Sequence, residues 1–269
     1  MNVDLPPDAC FRDREWKRFV QGPDRTLLEE LYEPGLARSV RYDRCCAYFS
    51  STVLSAAARG FASLIRRLTD GGSGWGEGGL APIRLVTNEQ LQRDDVLAIL
   101  ERGDLSALEE RLLQRLTPLE EALGRQRLEM LAWMADRGLL EIRVGLMRQG
   151  EGIVHTKFGI MTDARGDGLV FAGSGNETAR ALGANYESVE VSTSWADEER
   201  YRHYCAEFEK LWTDSHPTVH TLPLPEAIRA KLIEYAPEEP PVAEPGTTLA
   251  RQKAAMLLRF VTESPYLPN

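Results

Sequence analysis

The stretch Val154-His155-Thr156-Lys157-Phe158-Gly159-Ile160-Met161-Thr162-Asp163 reads as a strand over Val154–Met161. Residues two apart on a strand point to the same face. His155 and Lys157 therefore project together, with apolar partners toward the other face. An imidazole beside an ammonium suits a site where both meet a phosphate. The Lys cation neutralises a non-bridging oxygen, and its positive charge helps keep the His neutral and nucleophilic.

The chain downstream extends the same chemistry. Val170-Phe171-Ala172-Gly173-Ser174-Gly175-Asn176-Glu177-Thr178 carries a strand into a small-residue turn. Such a turn exposes the Ser174 hydroxyl, the Asn176 amide and the backbone N–H groups around Gly173 and Gly175. Placed before a helix, it is a natural anion site. Asn185-Tyr186-Glu187-Ser188-Val189 then enters another strand. Glu187 sits there as a carboxylate able to orient an imidazole.

H-x-K, then G-S-x-N, then a downstream Glu resembles the signature of the phospholipase D superfamily. Here the matching residues are His155, Lys157, Gly173, Ser174, Asn176 and Glu187. The common motif puts an Asp seven residues after the His, where this chain has Thr162; Asp163 follows one position later. In the superfamily that Asp looks structural rather than catalytic. A wider likeness covers roughly residues 10–235, through Phe11 to Trp16, Tyr42-Asp43, Tyr48-Phe49-Ser50-Ser51, Ser194-Trp195 and Leu222-Pro223-Leu224-Pro225-Glu226-Ala227. These segments resemble the phospholipase D-like module at the N-terminus of bacterial SNF2-type or DEAD/DEAH helicases, often linked to anti-phage defence or restriction. No G-x-x-x-x-G-K-[ST] motif occurs, so an ATPase activity of this chain has no support.

The resemblance implies a metal-independent, cofactor-free two-step reaction. One His attacks phosphorus and forms a phosphohistidine. A second His protonates the leaving oxygen and then activates water. Lys157, Asn176 and Ser174 would stabilise the charge that develops, with Gly173, Gly175, Ser50 and Ser51 beside the substrate. The chain has four histidines, His155, His203, His216 and His220, and only one H-x-K. A homodimer is therefore expected, with two His155 residues facing across a two-fold axis. A related subunit with its own motif is the other way to complete the site. His203, His216 and His220 read as surface or packing histidines.

Bulk properties set bounds. The chain has 269 residues, 43% hydrophobic and 27% charged, an ordinary globular balance. The formal charge of −9 argues against a protein that coats DNA non-specifically. A local basic cleft can still steer a polyanion, and Arg41, Arg44, Arg148, Lys157 and Arg180 are candidates to touch a nucleic-acid backbone. Cys10, Cys45, Cys46 and Cys205 form no C-x-x-C pair, and Cys45 and Cys46 read as small core residues of a cytoplasmic protein. No apolar run approaches the ~18 residues of a membrane span.

The coarse layout is α/β, a phospholipase D-like α/β/α sandwich with a central mixed sheet. Residues 1–37 read as an N-terminal helical extension on the surface, with short helices over Arg12–Val20 and Arg25–Tyr32. Residues 38–213 form the catalytic domain. Its strands are expected at Cys45–Phe49, Ile83–Val86, Leu140–Leu146, Val154–Met161, Leu169–Ala172 and Ser188–Ser192. Its helices are expected at Val53–Leu68, over a split region from Asp94 to Arg137 stopped by Gly138, and at Tyr201–Trp212. Residues 214–269 read as a Pro/Glu-rich linker and a C-terminal helix over Thr248–Val261.

Three functions stay open on the sequence. The first is a nuclease acting on nucleic acid, DNA or RNA, with a helicase as partner or fused domain. The second is a non-catalytic DNA-binding or dimerisation module of such a system. The third is a lipid phosphodiesterase, which would want a membrane-binding face that the sequence does not display.

Overall fold

The computed structural model describes residues 9–23, 25–46, 58–70, 81–88, 93–113, 125–149, 152–173 and 186–238. The strands are β1 (Phe19–Pro23), β2 (Ser39–Cys46), β3 (Ile83–Asn88), β4 (Leu140–Met147), β5 (Phe158–Asp163), β6 (Gly168–Gly173), β7 (Tyr186–Thr193) and β8 (Val219–Pro223). They form one mixed sheet in the order β1-β7-β6-β5-β2-β3-β4-β8. Strands β2, β3 and β4 are parallel neighbours, and the remaining pairs are antiparallel. The helices are α1 (Arg25–Leu27), a π turn (Leu28–Tyr32), α2 (Glu33–Leu36), α3 (Ala58–Asp70), α4 (Arg93–Arg102), α5 (106–113), α6 (Arg125–Asp136), α7 (Glu198–Trp212) and α8 (Glu226–Ile233). No helix among the described residues is long and apolar enough to cross a membrane.

Alternation along the strands assigns the two faces of the sheet. Ile83 and Leu85 of β3 join Leu31, Leu36, Phe61, Leu64 and Trp133 in the larger core. Ile99 of α4 and Leu108 of α5 extend that face over Val144 and Leu146. Val86, Phe158, Ile160 and Val170 point the other way, onto Phe208, Leu211 and Trp212 of α7. The result is the expected α/β/α layering.

Arg84 shares the α7 face and is fully buried there. Its Nε and Nη2 donate to Asp43 Oδ1 and Oδ2 at 2.6 and 2.8 Å, and Nη2 also reaches Glu209 at 2.6 Å. Its guanidinium lies over Phe208 and Trp212, 4.8 and 5.0 Å from the ring centroids. Burial pushes the Asp43 carboxyl up to about 7, against the pull of Arg41. The bidentate contact from Arg84 favours the ionised form. Breaking the buried Arg84–Asp43 pair on one side costs about 3–5 kcal/mol, and the half-exposed Glu209 adds a charged contact from α7 to β3.

Helix ends follow their local chemistry. Gly138, at φ +69°, stops α6. Leu139 N–H donates to Met134 O at 2.9 Å and Gly138 N–H to Ala135 O at 3.4 Å, the two bonds of a Schellman cap. Gly103, at φ +66°, separates α4 from α5. The expected split near Thr117 lies outside the described residues, as do the start of the Val53–Leu68 helix and the helix expected over Thr248–Val261. Asp197 caps α7 by accepting from Arg200 N–H at 3.3 Å.

Three expectations need correction. No helix covers Arg12–Val20: Phe11–Asp13 is a single 3-10 turn, and Phe19–Pro23 is edge strand β1, paired with Tyr186–Glu190 of β7. Phe11, Val20, Leu31 and Leu36 are core residues rather than surface ones. The expected strand over Cys45–Phe49 starts earlier, at Ser39, and its residues 47–49 lie outside the described residues. The tail after residue 213 supplies strand β8, bonded to Arg143–Met147 of β4, before the described chain ends.

Candidate active site

All three parallel strands finish at one rim of the sheet, at Cys46, Asn88 and Met147. Strand β5 runs opposite to β2, with Phe158 beside Cys45, so it begins at that rim. Strand β6 ends there at Gly173, and β7 begins there at Tyr186. Open α/β sheets place ligands beyond the carboxyl ends of their parallel strands. This rim gathers the backbone of His155, Lys157, Gly173 and Glu187.

The segment before β5 is not a strand. Residues 153–157 are irregular, and β5 starts at Phe158. Val154 N–H donates to the side chain of Asn88, Oδ1, at 2.8 Å instead of to a strand neighbour. Val154 is buried, while His155 is exposed and Lys157 half-buried. Same-face projection along a strand is therefore not what brings the two side chains together. They meet all the same: Lys157 Nζ and His155 Nε2 are 2.8 Å apart. With lysine as an ammonium, Nζ is the donor and Nε2 the acceptor. The proton of the neutral ring then sits on Nδ1, and Nε2 keeps its lone pair.

Gly173 closes the adjacent edge. Its N–H donates to Lys157 O at 3.4 Å. A Cβ at this position would run into Ser188 O and come within 2.9 Å of Val189 Cα. Only glycine lets β6 and β7 approach this closely beside Lys157. Ser50, Ser51, Ser174, Gly175, Asn176 and Arg180 lie outside the described residues. Glu187 is described by its backbone alone, paired with Gly22 of β1.

Of the expected phosphate-contacting arginines, Arg41 and Arg44 lie away from the rim, and Arg148, which follows β4 at the rim, is engaged by Asp214 and His216. Arg44 is 4% exposed, with its guanidinium 5.0 Å from the Phe171 ring centroid, so it belongs to the core. Arg41 pairs with Asp43 and Glu209 at 3.0 and 3.3 Å, on the α7 face. Arg148 donates to Asp214 Oδ1 at 2.8 Å and to the carbonyls of Asp214 and His216. His216 and His220 are held by carboxylates, Glu207 and Asp214, each at 3.0 Å. His203 lies on α7 with its ring 5.5 Å from Tyr204.

Asp163 is buried at the far end of β5 from the rim. Its carboxylate accepts N–H groups from Phe11 at 2.8 Å, Arg165 at 2.9 Å and Asp167 at 3.0 Å. It ties the N-terminal segment to the β5–β6 turn and touches nothing at the rim.

Sequence reasoning missed Asn88, which fixes the backbone one residue before His155. The available signal was a polar Thr87-Asn88 ending on an apolar strand. Asn88 is 2% exposed, and its Nδ2 has no hydrogen-bond partner among the described residues. Among the described residues no group of three or more His, Cys, Asp or Glu converges on a possible metal position.

No protein-family model and no curated protein matches this chain. Among solved structures, it is similar to NucT from Helicobacter pylori, at 15% identity and TM-score 0.41, over 74% of this chain and 97% of that one. It is also similar to Nuc from Salmonella typhimurium, a phospholipase D family member, at 15% identity and TM-score 0.41, over 77% of this chain and 95% of the other. A third similarity is to phosphatidylserine synthase from Haemophilus influenzae Rd KW20, at 16% identity and TM-score 0.41, over 90% of this chain and 47% of that one.

Proposed function

We propose that this chain is a metal-independent phosphodiesterase of the phospholipase D superfamily that cleaves nucleic acid, with His155 as its nucleophile. The observation that carries this reading is the 2.8 Å contact between Lys157 Nζ and His155 Nε2 at the carboxyl rim of the parallel strands. It joins an imidazole nitrogen that accepts from Lys157 to a cation able to take a non-bridging phosphate oxygen, so a bound phosphate draws the ammonium to itself and releases the Nε2 lone pair for attack.

In the first step His155 Nε2 attacks phosphorus and forms a P–N bond. The P–O bond to the leaving group breaks, and a second histidine gives that oxygen its proton. In the second step the same histidine takes a proton from water. The water oxygen attacks phosphorus, the P–N bond breaks, and His155 is restored. Lys157 and, by the sequence motif, Ser174 and Asn176 balance the charge on the phosphoryl oxygens. Glu187 orients an imidazole.

The second histidine comes from a second copy of the chain across a two-fold axis. The commitment of His216 to Glu207 and of His220 to Asp214 favours this over a partner histidine from the same chain. A helicase, fused or separate, would present the strand to be cut, as in the defence systems that the sequence resembles.

The test is cleavage of supercoiled plasmid and of single-stranded DNA in EDTA, beside His155→Ala. Cleavage lost in the variant supports the reading. Absence of cleavage by a wild-type dimer overturns simple nuclease action and favours a binding module.

A further inference from the structure

A second feature lies at the opposite rim of the sheet. The segment before β1 and the turn after β7 enclose a cleft of about 550 Å³, walled by Trp16, Trp195, Arg14, Arg18, Ser192 and Thr193. Three guanidinium groups lie over aromatic rings along it. Arg12 is 4.9 Å from the Trp195 centroid, Arg14 5.4 Å from Trp16, and Arg18 5.7 Å from Phe19. Phe19 is 53% exposed and Trp195 36%, two large apolar side chains left toward water, each beneath its own guanidinium.

The charges there are unequal in their commitments. Arg12 pairs with Asp167 at 2.7 Å and Arg14 with Glu30 at 3.2 Å. Arg18 has no carboxylate partner among the described residues. Arg14 Nε and Thr193 Oγ1 have no hydrogen-bond partner among the described residues. Asp197 is occupied in capping α7, and Glu15 stands exposed at the mouth. A bare phosphate would meet Glu15 unfavourably. A nucleobase offers a π-face to the rings and amino groups to the carboxylate, and its phosphate suits Arg18.

We infer that this cleft binds an unpaired nucleotide of a single-stranded nucleic acid, as a docking site remote from the reacting phosphate. The inference rests on nucleic acid being the substrate of the His155 rim. Thr193 lies four residues along β7 from Val189, which faces Gly173. That is roughly 13 Å along the strand, with about 10 Å more across β6 to β5, hence on the order of 16 Å in a straight line. At a stacked spacing of about 3.4 Å per nucleotide, about five nucleotides join the two places. Long strands would touch both, and short ones only the rim.

The experiment compares labelled single-stranded oligonucleotides of about four and about twelve nucleotides, within the range of known single-strand sites. Binding is read by fluorescence anisotropy in the His155→Ala background, and cleavage is read in the active background. Trp195→Ala is expected to weaken the longer oligonucleotide about tenfold, and Trp195→Phe to recover most of it. The exposed-site variant Arg18→Glu should have the same effect as Trp195→Ala. Cleavage of the shorter strand should keep its kcat/KM in all three. Equal affinity of Trp195→Ala, Arg18→Glu and the parent for the longer strand overturns the inference, as does failure of the parent to bind it. Trp195-dependent binding by a chain that cleaves nothing sinks the nuclease reading and leaves the docking site standing.

Discussion

Asn88 Oδ1 takes the Val154 N–H at 2.8 Å, so the end of β3 fixes the backbone immediately before His155. Asn88→Leu removes this acceptor and leaves a buried N–H unpaired, a cost of about 1–3 kcal/mol. It also frees the backbone that aims the imidazole. A displacement of about 1 Å at a reacting group can cost about 100-fold in rate. The expected outcome is a kcat on single-stranded DNA lower by about 100-fold, with KM little changed. A fall in KM-determined affinity with kcat intact would refute the positioning role.

On the proposed mechanism Lys157 acts at the reacting phosphate itself. Lys157→Met removes both the donor to Nε2 and the cation for the phosphoryl oxygens. Loss of one such group costs about 100- to 1000-fold in kcat. Lys157→Arg should restore little of it, because the guanidinium fork does not reproduce a compact ammonium donor. Steady-state kinetics on a short oligonucleotide checks both. Recovery to wild-type rate by arginine would mean that only the charge matters.

Gly173→Ala probes the junction of β6 with β7. Its Cβ would meet the backbone at Ser188 O and Val189 Cα rather than a movable side chain. Overpacking of this kind costs about 3 kcal/mol, which lowers Tm by roughly 6–12 °C in a domain of this size. Thermal unfolding by circular dichroism reads it. An unchanged Tm would show that β7 shifts freely at this point.

The cysteines make a pH prediction. Cys10, Cys45 and Cys46 are buried, and Cys205 is half-buried. Burial pushes the Cys45 thiol up to about 12 from a usual 9.0. The native thiol therefore stays protonated and unreactive at pH 8. Above about 9 the unfolded chain ionises at Cys45 and the native one does not. Stability falls as pH rises between about 9 and 12. A disulfide-exchange reagent at pH 8 should label Cys205 slowly in the native protein and all four thiols after unfolding. Rapid native labelling of Cys45, located by mass spectrometry, would contradict this.

Much of the sheet was legible because its strands carry their own apolar runs. Those expected at Ile83–Val86, Leu140–Leu146, Leu169–Ala172 and Ser188–Ser192 all appear, each extended by one to three residues. What local pattern missed depends on partners far along the chain. Phe19–Pro23 becomes a strand only because β7 offers it an edge. Arg44 looked like a phosphate contact, yet a ring of β6 receives it in the core. At the site, the sequence placed His155 beside Lys157 by strand alternation; they meet instead on irregular backbone held by Asn88. Asp163 stands one position late for the motif, and its three accepted N–H groups give it a purely architectural task.

The pairing of Phe19 with Glu190 sets an order of assembly. Synthesis delivers β1 early, but its partner strand emerges only after almost all of the described sheet has been made. Until then Val20 has no strand beside it, and Val189 and Val191 are not yet available to cover it. Pairings this distant are slow to form and leave edges open to wrong partners meanwhile. A ribosome that has translated β5 has therefore produced the His155 and Lys157 segment before the edge of the sheet can close, and the closed sheet must wait for β7.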